Sequence, residues 1–454
     1  MKKRQLSPST TTGSKSEDRL NGVQAKVVKT HPFFSRTSSA SVQKTGNSLT
    51  WLSSPDWPHE HCLHGVNLHP KPSSRIAGFD LDGTLISGNF RVKDKKAWSW
   101  WRNVVPTKLR QLHEGGYAII IFSNQNINHL AVWKEKLQLI AAALPDVPFR
   151  IFAATRKDGH RKPMPGMWHE LERIYALDGV VIDKGASFYV GDAAGRPSGP
   201  NGKDHASSDR QWALNVGVPF FTPEEFFLEL PASQYKMEGF HVSTLSAQPL
   251  YTPTSTPLLF RAPTDQEPYT TSSSQSAITT SASGPKEIIL FVGPPCAGKS
   301  SFFRTHIQVM NHSYVHVEGR ALKARARCAQ KAEEALKDEK SCVLDDTHAS
   351  MFSRKYAITL ARKFEIPIRC FLFTASLELA WHNNLYRAYL QPRIISDQKL
   401  SRPALPKEEF RAFRDQYQEP TISEGFAEIK RINWVWNGTD EERKCWELWT
   451  LPMK

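Results

Sequence analysis

Short apolar runs, each ending on polar or acidic residues, alternate along the chain with stretches too polar to pack. Residues 1 to about 50 are rich in Ser, Thr and Lys and poor in apolar side chains. Such a segment cannot bury enough surface to offset the entropy of ordering it, and disorder is expected. From Ile76 the pattern changes. Ile76-Ala77-Gly78-Phe79 reads as a buried strand, as do Tyr117-Ala118-Ile119-Ile120-Ile121-Phe122, Phe149-Arg150-Ile151-Phe152-Ala153-Ala154 and Ser187-Phe188-Tyr189-Val190. Helical patterns such as 131–144 lie between them. This alternation predicts an α/β fold with a parallel sheet, whose ligand site forms beyond the carboxyl ends of the strands.

Residues 236–285 form a second low-complexity stretch, with Thr270-Thr271-Ser272-Ser273-Ser274 and several prolines, and read as a linker. A fresh apolar run, Glu287-Ile288-Ile289-Leu290-Phe291-Val292, then opens another α/β pattern, continued by Val343-Leu344 and Ile368-Arg369-Cys370-Phe371-Leu372-Phe373. The expected organisation is a disordered basic segment over 1–73, an α/β domain over 74–235, a linker over 236–285 and a second α/β domain over 286–454. No internal repeat relates the two domains.

Composition narrows the class. The 454 residues suit two or three domains, and 40% hydrophobic content suffices for packed cores. No apolar run approaches the roughly 20 residues that span a bilayer, and no secretory h-region is visible; no membrane association is expected. The six cysteines are scattered without CxxC pairs, which fits a reducing compartment. The formal net charge of +14 suits a polyanionic partner, nucleic acid being the common one, although a basic tail on an ordinary enzyme gives the same sum. Lys2-Lys3-Arg4 reads either as part of a nuclear address or as a solubilising cluster.

The first chemical constellation is Asp80-Leu81-Asp82-Gly83-Thr84, at the end of the first strand. A carboxylate that attacks phosphorus splits one difficult transfer into two easier ones, and Asp80 is placed for that role. Asp82 suits the general acid that protonates the leaving oxygen and then the base that activates water. Two carboxylates facing a phosphate need a hard cation; Mg2+ is expected on Asp80, the Asp82 carbonyl and Asp192, with Asp209 a further candidate. Ser123, at the second strand end, suits a hydrogen bond to a phosphate oxygen. Lys162 suits neutralising the phosphate and the charge that develops on it.

The second constellation is the octapeptide GPPCAGKS at 293–300, which satisfies G-x-x-x-x-G-K-[ST] between a strand and a helix. Its backbone N–H groups suit cradling the phosphates of ATP, with Gly293 and Gly298 bounding the loop, Lys299 on the β/γ-phosphates and Ser300 on magnesium. Asp345, at a later strand end, faces either the nucleotide and its metal or an ordinary turn.

These motifs resemble, in order, the bifunctional polynucleotide kinase/3′-phosphatases. Residues 77–85 match the haloacid-dehalogenase-type phosphatase signature, joined by Phe122-Ser123-Asn124-Gln125, Arg161-Lys162-Pro163 and Val190-Gly191-Asp192. In the second half the match runs through the phosphate loop, Arg369-Cys370-Phe371, His382-Asn383-Asn384 and Glu419-Pro420-Thr421. The resemblance covers about 75–230 and 286–435. It implies a haloacid-dehalogenase-like (Rossmannoid) phosphatase followed by a P-loop kinase. It also implies repair of DNA ends: removal of 3′-phosphates, phosphorylation of 5′-hydroxyls with ATP, and a nuclear location.

The chain departs from the family in two ways. The segment before Arg75 is too short and polar for a forkhead-associated domain, so scaffold binding through one is not expected. The kinase of the family uses an aspartate as base on the 5′-hydroxyl, and that position aligns with Arg320, which stays protonated. Glu318 is the nearest alternative. The competing reading is therefore a 3′-phosphatase whose kinase-like module is catalytically impaired and binds DNA or nucleotide. A metabolite phosphatase fused to an unrelated NTPase is a third reading, since both folds host such activities.

Three other clusters carry less. His59, His61, Cys62, His64 and His69 fit no standard zinc spacing and read as a solvated segment. Trp98, Trp100 and Trp101 read as buried. Lys323, Arg325 and Arg327 read as a solvated face, with a DNA-facing patch as the second reading.

Overall fold

The computed structural model describes residues 49–55, 57–88, 94–126, 129–198, 202–260, 286–309, 314–392 and 403–453. The expected disorder of residues 1–48 and the linker segment 261–285 lie outside these.

The first half contains β1 (Leu49–Trp51), β2 (Cys62–Asn67), β3 (Ile76–Phe79), a small hairpin of β4 (Ile86–Ser87) and β5 (Ser99–Trp100), α1 (Val105–Glu114), β6 (Ala118–Asn124), α2 (Leu130–Ala142), β7 (Phe149–Ala154), α3 (Gly166–Leu177), β8 (Phe188–Val190), α4 (Ser208–Val216), β9 (Phe220–Phe221) and α5 (Pro223–Phe227). Seven strands make one sheet in the order β1-β2-β7-β6-β3-β8-β9. The five strands from β7 to β9 are parallel, while β2 joins β7, and β1 joins β2, antiparallel. All four residues of β3 are buried, as are the first six of β6, because helices cover both faces. The order in the sheet places β3 between β6 and β8, so Asp80, Ser123 and Asp192 fall at three adjacent strand ends.

The second half contains β10 (Ile288–Val292), α6 (Lys299–Phe302), β11 (Tyr314–Glu318), α7 (Gly319–Leu322), α8 (Arg325–Lys337), β12 (Ser341–Asp345), α9 (Met351–Lys363), β13 (Ile368–Phe373), α10 (Leu377–Leu385), α11 (Lys407–Gln416), β14 (Glu428–Ile432) and α12 (Asp440–Trp446). Its five strands are all parallel, in the order β11-β12-β10-β13-β14. The α/β class with parallel sheets is as the hydrophobic pattern predicts.

Two expectations about order need correction. The segment 1–73 was expected to be disordered throughout, yet it supplies β1 and β2. Cys62, His64 and Asn67 of β2 are buried, and Asn67 Nδ2 donates to the Val147 carbonyl at 3.0 Å. A strand carrying His and Asn among its inward residues escapes a search for apolar runs. The segment 236–285 was expected to be a linker, yet residues 250–259 are built into the second half. Tyr251 bridges Ile432 of β14, Leu258 and Leu259 are buried, and Arg369 donates to the carbonyls of Pro257 and Leu258. Pairing along a sheet edge uses backbone groups that composition does not register.

One hydrophobic cluster joins the halves: Met164, just after Lys162, packs with Leu379, Trp381, Leu385, Phe410, Trp446 and Leu451. Among the described residues no helix is long and apolar enough to cross a membrane. None of the six cysteines is disulfide-bonded.

Candidate active sites

Beyond β3 the chain turns sharply through Gly83, whose φ of +88° is in the left-handed region. A Cβ there would sit 2.4 Å from Asp192 Oδ2, so glycine is what allows the acidic loop to close against the next strand end. Asp80 is 6% exposed. Lys162 Nζ lies 2.6 Å from Asp80 Oδ1 and 2.7 Å from Asp209 Oδ1, and also donates to the Phe122 carbonyl and the Tyr189 hydroxyl. Burial alone would push Lys162 down, but Asp209 and Asp80 override it and hold the ammonium up.

Asp80, Asp192 and Asp209 have carboxylate oxygens within 4.8 Å of one another. Burial, reinforced by Asp209 and Asp82, pushes Asp80 up to about 7 against the downward pull of Lys162. Burial, Asp80 and Asp209 push Asp192 well above the carboxylate range. One lysine does not balance this charge, and a small dication with oxygen ligands fits the donor set. Asp80 and Asp192 are the residues free to hold it. Asp209 is engaged on both oxygens, by Lys162 and Tyr189 on one and by the Ala193 N–H on the other. Its position is therefore that of an anchor for Lys162, in the first turn of α4.

Asp82 accepts from Gln125 Nε2 at 2.5 Å, and burial pushes its carboxyl up, which favours the protonated form a general acid needs. Ser123 is buried, and its hydroxyl accepts from the same Gln125 amide at 2.8 Å. Three residues not assigned roles from sequence complete the site. Gln125 holds Asp82, and Tyr189 holds Lys162. Asn124 clamps the Lys162 backbone by donating to its carbonyl at 3.0 Å and accepting from its N–H at 2.9 Å. The one signal for them was position, at or near strand ends. A cleft of about 540 Å³ opens over these groups, lined also by Lys157, Arg161 and His205 and by Thr450, Leu451 and Pro452 of the C-terminal segment.

In the second half, Lys299 Nζ folds back onto the Gly293 and Pro294 carbonyls at 2.9 and 2.7 Å. Burial pushes it down, while Asp345 and Asp346 push it up. Ser300 Oγ donates to Asp345 Oδ2 at 2.6 Å, and His316 Nε2 lies 3.0 Å from the same oxygen. Asp345 thus faces the phosphate loop, not a bare turn, and these contacts hold its carboxyl low against the opposing effect of burial. A neighbouring pocket of about 310 Å³ is lined by Gly298, Arg387, Trp434, Trp436 and Trp446. Arg320 is exposed, 3.5 Å from Glu409.

The histidine segment is not uniformly solvated as expected. His64 is buried, stacked on Phe152, and burial pushes it down to about 3. His59 meets His160 and Glu170, but the contacts there are satisfied without an ion: Glu170 takes His59 at 3.0 Å and Arg173 at 2.8 Å. Trp101 is buried and Trp98 and Trp100 pack against the same core. Lys323, Arg325 and Arg327 are exposed.

Comparison with known proteins agrees with this geometry. Residues 75–227 match the polynucleotide kinase 3 phosphatase family, and residues 288–420 match an AAA domain family. The bifunctional polynucleotide phosphatase/kinase of Schizosaccharomyces pombe is 36% identical over 372 residues, spanning 80% of each chain. An uncharacterised 20.8 kDa protein of Autographa californica nuclear polyhedrosis virus is 42% identical over 162 residues, 34% of this chain and 85% of that one. The polynucleotide 3′-phosphatase ZDP of Arabidopsis thaliana is 35% identical over 176 residues, 34% of this chain and 24% of that one. The class defined is an α/β phosphatase joined to a P-loop kinase. The chain belongs to the bifunctional polynucleotide phosphatase/kinase family.

Proposed function

We propose that this protein repairs DNA ends in the nucleus, hydrolysing 3′-phosphates and phosphorylating 5′-hydroxyls with ATP and Mg2+. The observation that carries the phosphatase half is Lys162, held between Asp80 and Asp209 under a cleft lined by basic residues. Asp80 Oδ1 is fixed by Lys162, which leaves Oδ2 to attack phosphorus. As the new O–P bond forms, the bond to the 3′ oxygen breaks and Asp82 gives that oxygen its proton. Asp82 then takes a proton from water, which attacks the aspartyl-phosphate and frees Asp80 and inorganic phosphate. Lys162 offsets the charge on the transferring group throughout. Asp80, the Asp82 carbonyl and Asp192 would hold magnesium, which supplies charge neutralisation at the phosphate.

In the kinase half the phosphate loop would cradle ATP, with Lys299 on the β/γ-phosphates and Ser300 with Asp345 on the metal side. The net charge of +14 and the cleft residues Lys157 and Arg161 support a polynucleotide over a small metabolite. The cluster Lys2-Lys3-Arg4 supports the nuclear assignment. Arg320 favours a second reading, in which the kinase half binds nucleotide or DNA without transferring phosphate.

The test is incubation with a 3′-phosphorylated oligonucleotide, and separately with a 5′-hydroxyl oligonucleotide and ATP, each with Mg2+. Phosphate release and 5′ labelling are expected. Absence of release would remove the phosphatase claim. Absence of labelling with intact ATP binding would establish the second reading.

A further inference from the structure

The kinase reading leaves one chemical role without a residue. A 5′-hydroxyl that attacks the γ-phosphate must lose its proton, and the position where the resemblance calls for a carboxylate holds Arg320. Arginine cannot accept that proton. We propose that Asp346 is the catalytic base of the kinase, in place of the carboxylate missing at 320. The proposal rests on the kinase reading above.

The argument starts from strand register. Strands β11 and β12 pair with Glu318 opposite Asp345. The next residue out on each strand is Gly319 on one and Asp346 on the other, and they meet at the carboxyl edge of the sheet. A Cβ built on Gly319 would stand 2.4 Å from Asp346 Oδ2. Any side chain at 319 would displace that carboxylate, so the glycine makes the room that Asp346 fills. The carboxylate lost from the turn after β11 is regained from the turn after β12, one strand away.

The surroundings of Asp346 suit the role. It directly follows Asp345, which holds Ser300 of the phosphate loop. It acts electrostatically on Lys299, the residue assigned to the transferring phosphates, and Arg320 acts on the same lysine with opposite sign. Asp346 Oδ1 accepts from the Thr347 N–H at 2.7 Å. Among the described residues Oδ2 has no hydrogen-bond partner, and the side chain is exposed to an incoming substrate. The other nearby carboxylates are less suited. Asp345 is committed to Ser300 and His316, and Glu409 lies against Arg320. Glu318 is the competitor that remains.

The step balances as follows. The 5′ oxygen forms a bond to the γ-phosphorus while the bond from that phosphorus to the β,γ-bridging oxygen breaks. ADP leaves with the electron pair, and the hydroxyl proton passes to Asp346 Oδ2 and then to solvent.

The experiment measures 5′ labelling kinetics for the full chain and for D346N, D346E, E318Q and K299A, with 3′-phosphate release as the control for folding. D346N is expected to lower kcat by at least about a hundredfold with little change in the KM for ATP. Partial recovery in D346E, and phosphate release at the wild-type rate in all four variants, are expected alongside. Labelling by D346N within about threefold of wild type, or a loss in E318Q instead, would overturn the assignment while leaving the kinase reading intact. No labelling by the wild-type chain, or undiminished labelling by K299A, would overturn the kinase reading and this proposal with it.

Discussion

Asn215, on a helix of the phosphatase half, is tied to the backbone of Trp449 near the end of the kinase half. Its Nδ2 donates to the Trp449 carbonyl at 2.9 Å and its Oδ1 accepts from the Trp449 N–H at 2.8 Å. The same amide nitrogen donates to the Pro163 carbonyl at 2.7 Å, one residue beyond Lys162. One side chain therefore fastens the C-terminal segment to the loop that carries Lys162, and the residues just beyond it, Thr450 to Pro452, line the cleft over Asp80.

Replacing Asn215 with alanine should release that segment. Trp449 would lose two hydrogen bonds and Pro163 one, a cost of about 1–3 kcal/mol. The expected result is a raised KM for a 3′-phosphorylated oligonucleotide, faster amide exchange at 449–451, and little change in 5′ labelling. Unchanged exchange in that segment would show that Asn215 is not its fastening.

Lys162 stands between two buried carboxylates. Lys162→Met should lower the phosphatase kcat by about two to three orders of magnitude, since it removes the fixed cation from the transferring phosphate. It also leaves Asp80 and Asp209 without their partner, a loss of about 3–5 kcal/mol before either carboxylate takes up a proton. Both quantities are read from single-turnover phosphate release and denaturant unfolding on the same preparation.

The raised Asp80 and Asp192 carboxyls would give Mg2+ binding at this site a pH dependence. In the metal-free protein the folded state keeps these protons up to about pH 7 for Asp80, while an unfolded aspartate has released its own. The folded state then binds more protons than the unfolded one, and stability should fall as pH rises from about 4 to 7. A dication competes with the same protons, so Mg2+ should bind more tightly as pH rises through 7, by up to about tenfold per pH unit for each proton displaced. Thermal melts with chelator and with Mg2+ across this range should therefore diverge with increasing pH. Parallel curves would mean that the carboxylates are ionised before metal arrives.

Much of this was legible in the sequence, and the reasons for the remainder are physical. Asp80, Asp82 and the loop at 293–300 were readable because their spacing is itself the chemistry, set within a few residues of one strand end. Lys162 and Asp192 were readable as polar residues in order along an alternating fold. Asp209 was only a weak candidate, because its contact with Lys162 is made by folding α4 across the sheet. Gln125 and Asn124 stood in view at a strand end, but holding Asp82 and the Lys162 backbone are tertiary relationships. The strands β1 and β2 and the edge segment around Tyr251 were missed because they are held by backbone pairing and by buried His and Asn. The nearness of Asp346 to Gly319 depends on the register between β11 and β12, which no single segment contains.

Ser300, Asp345 and His316 form a chain of contacts beside the phosphate loop, where magnesium would sit, with His316 in turn stacked on Phe303 at 3.9 Å between ring centroids. Groups that act as a unit lose their effect together. Asp345→Asn should lower 5′ labelling by about two to three orders of magnitude, because it takes a charge from the site that orients the metal and with it the γ-phosphate. Ser300→Ala should cost less, and the double variant no more than Asp345→Asn alone, giving an interaction energy of about 1–3 kcal/mol in the cycle. Phosphate release from 3′ ends should be unchanged in all three. Independent, additive losses would place Ser300 and Asp345 on separate tasks and end the case for a shared metal site.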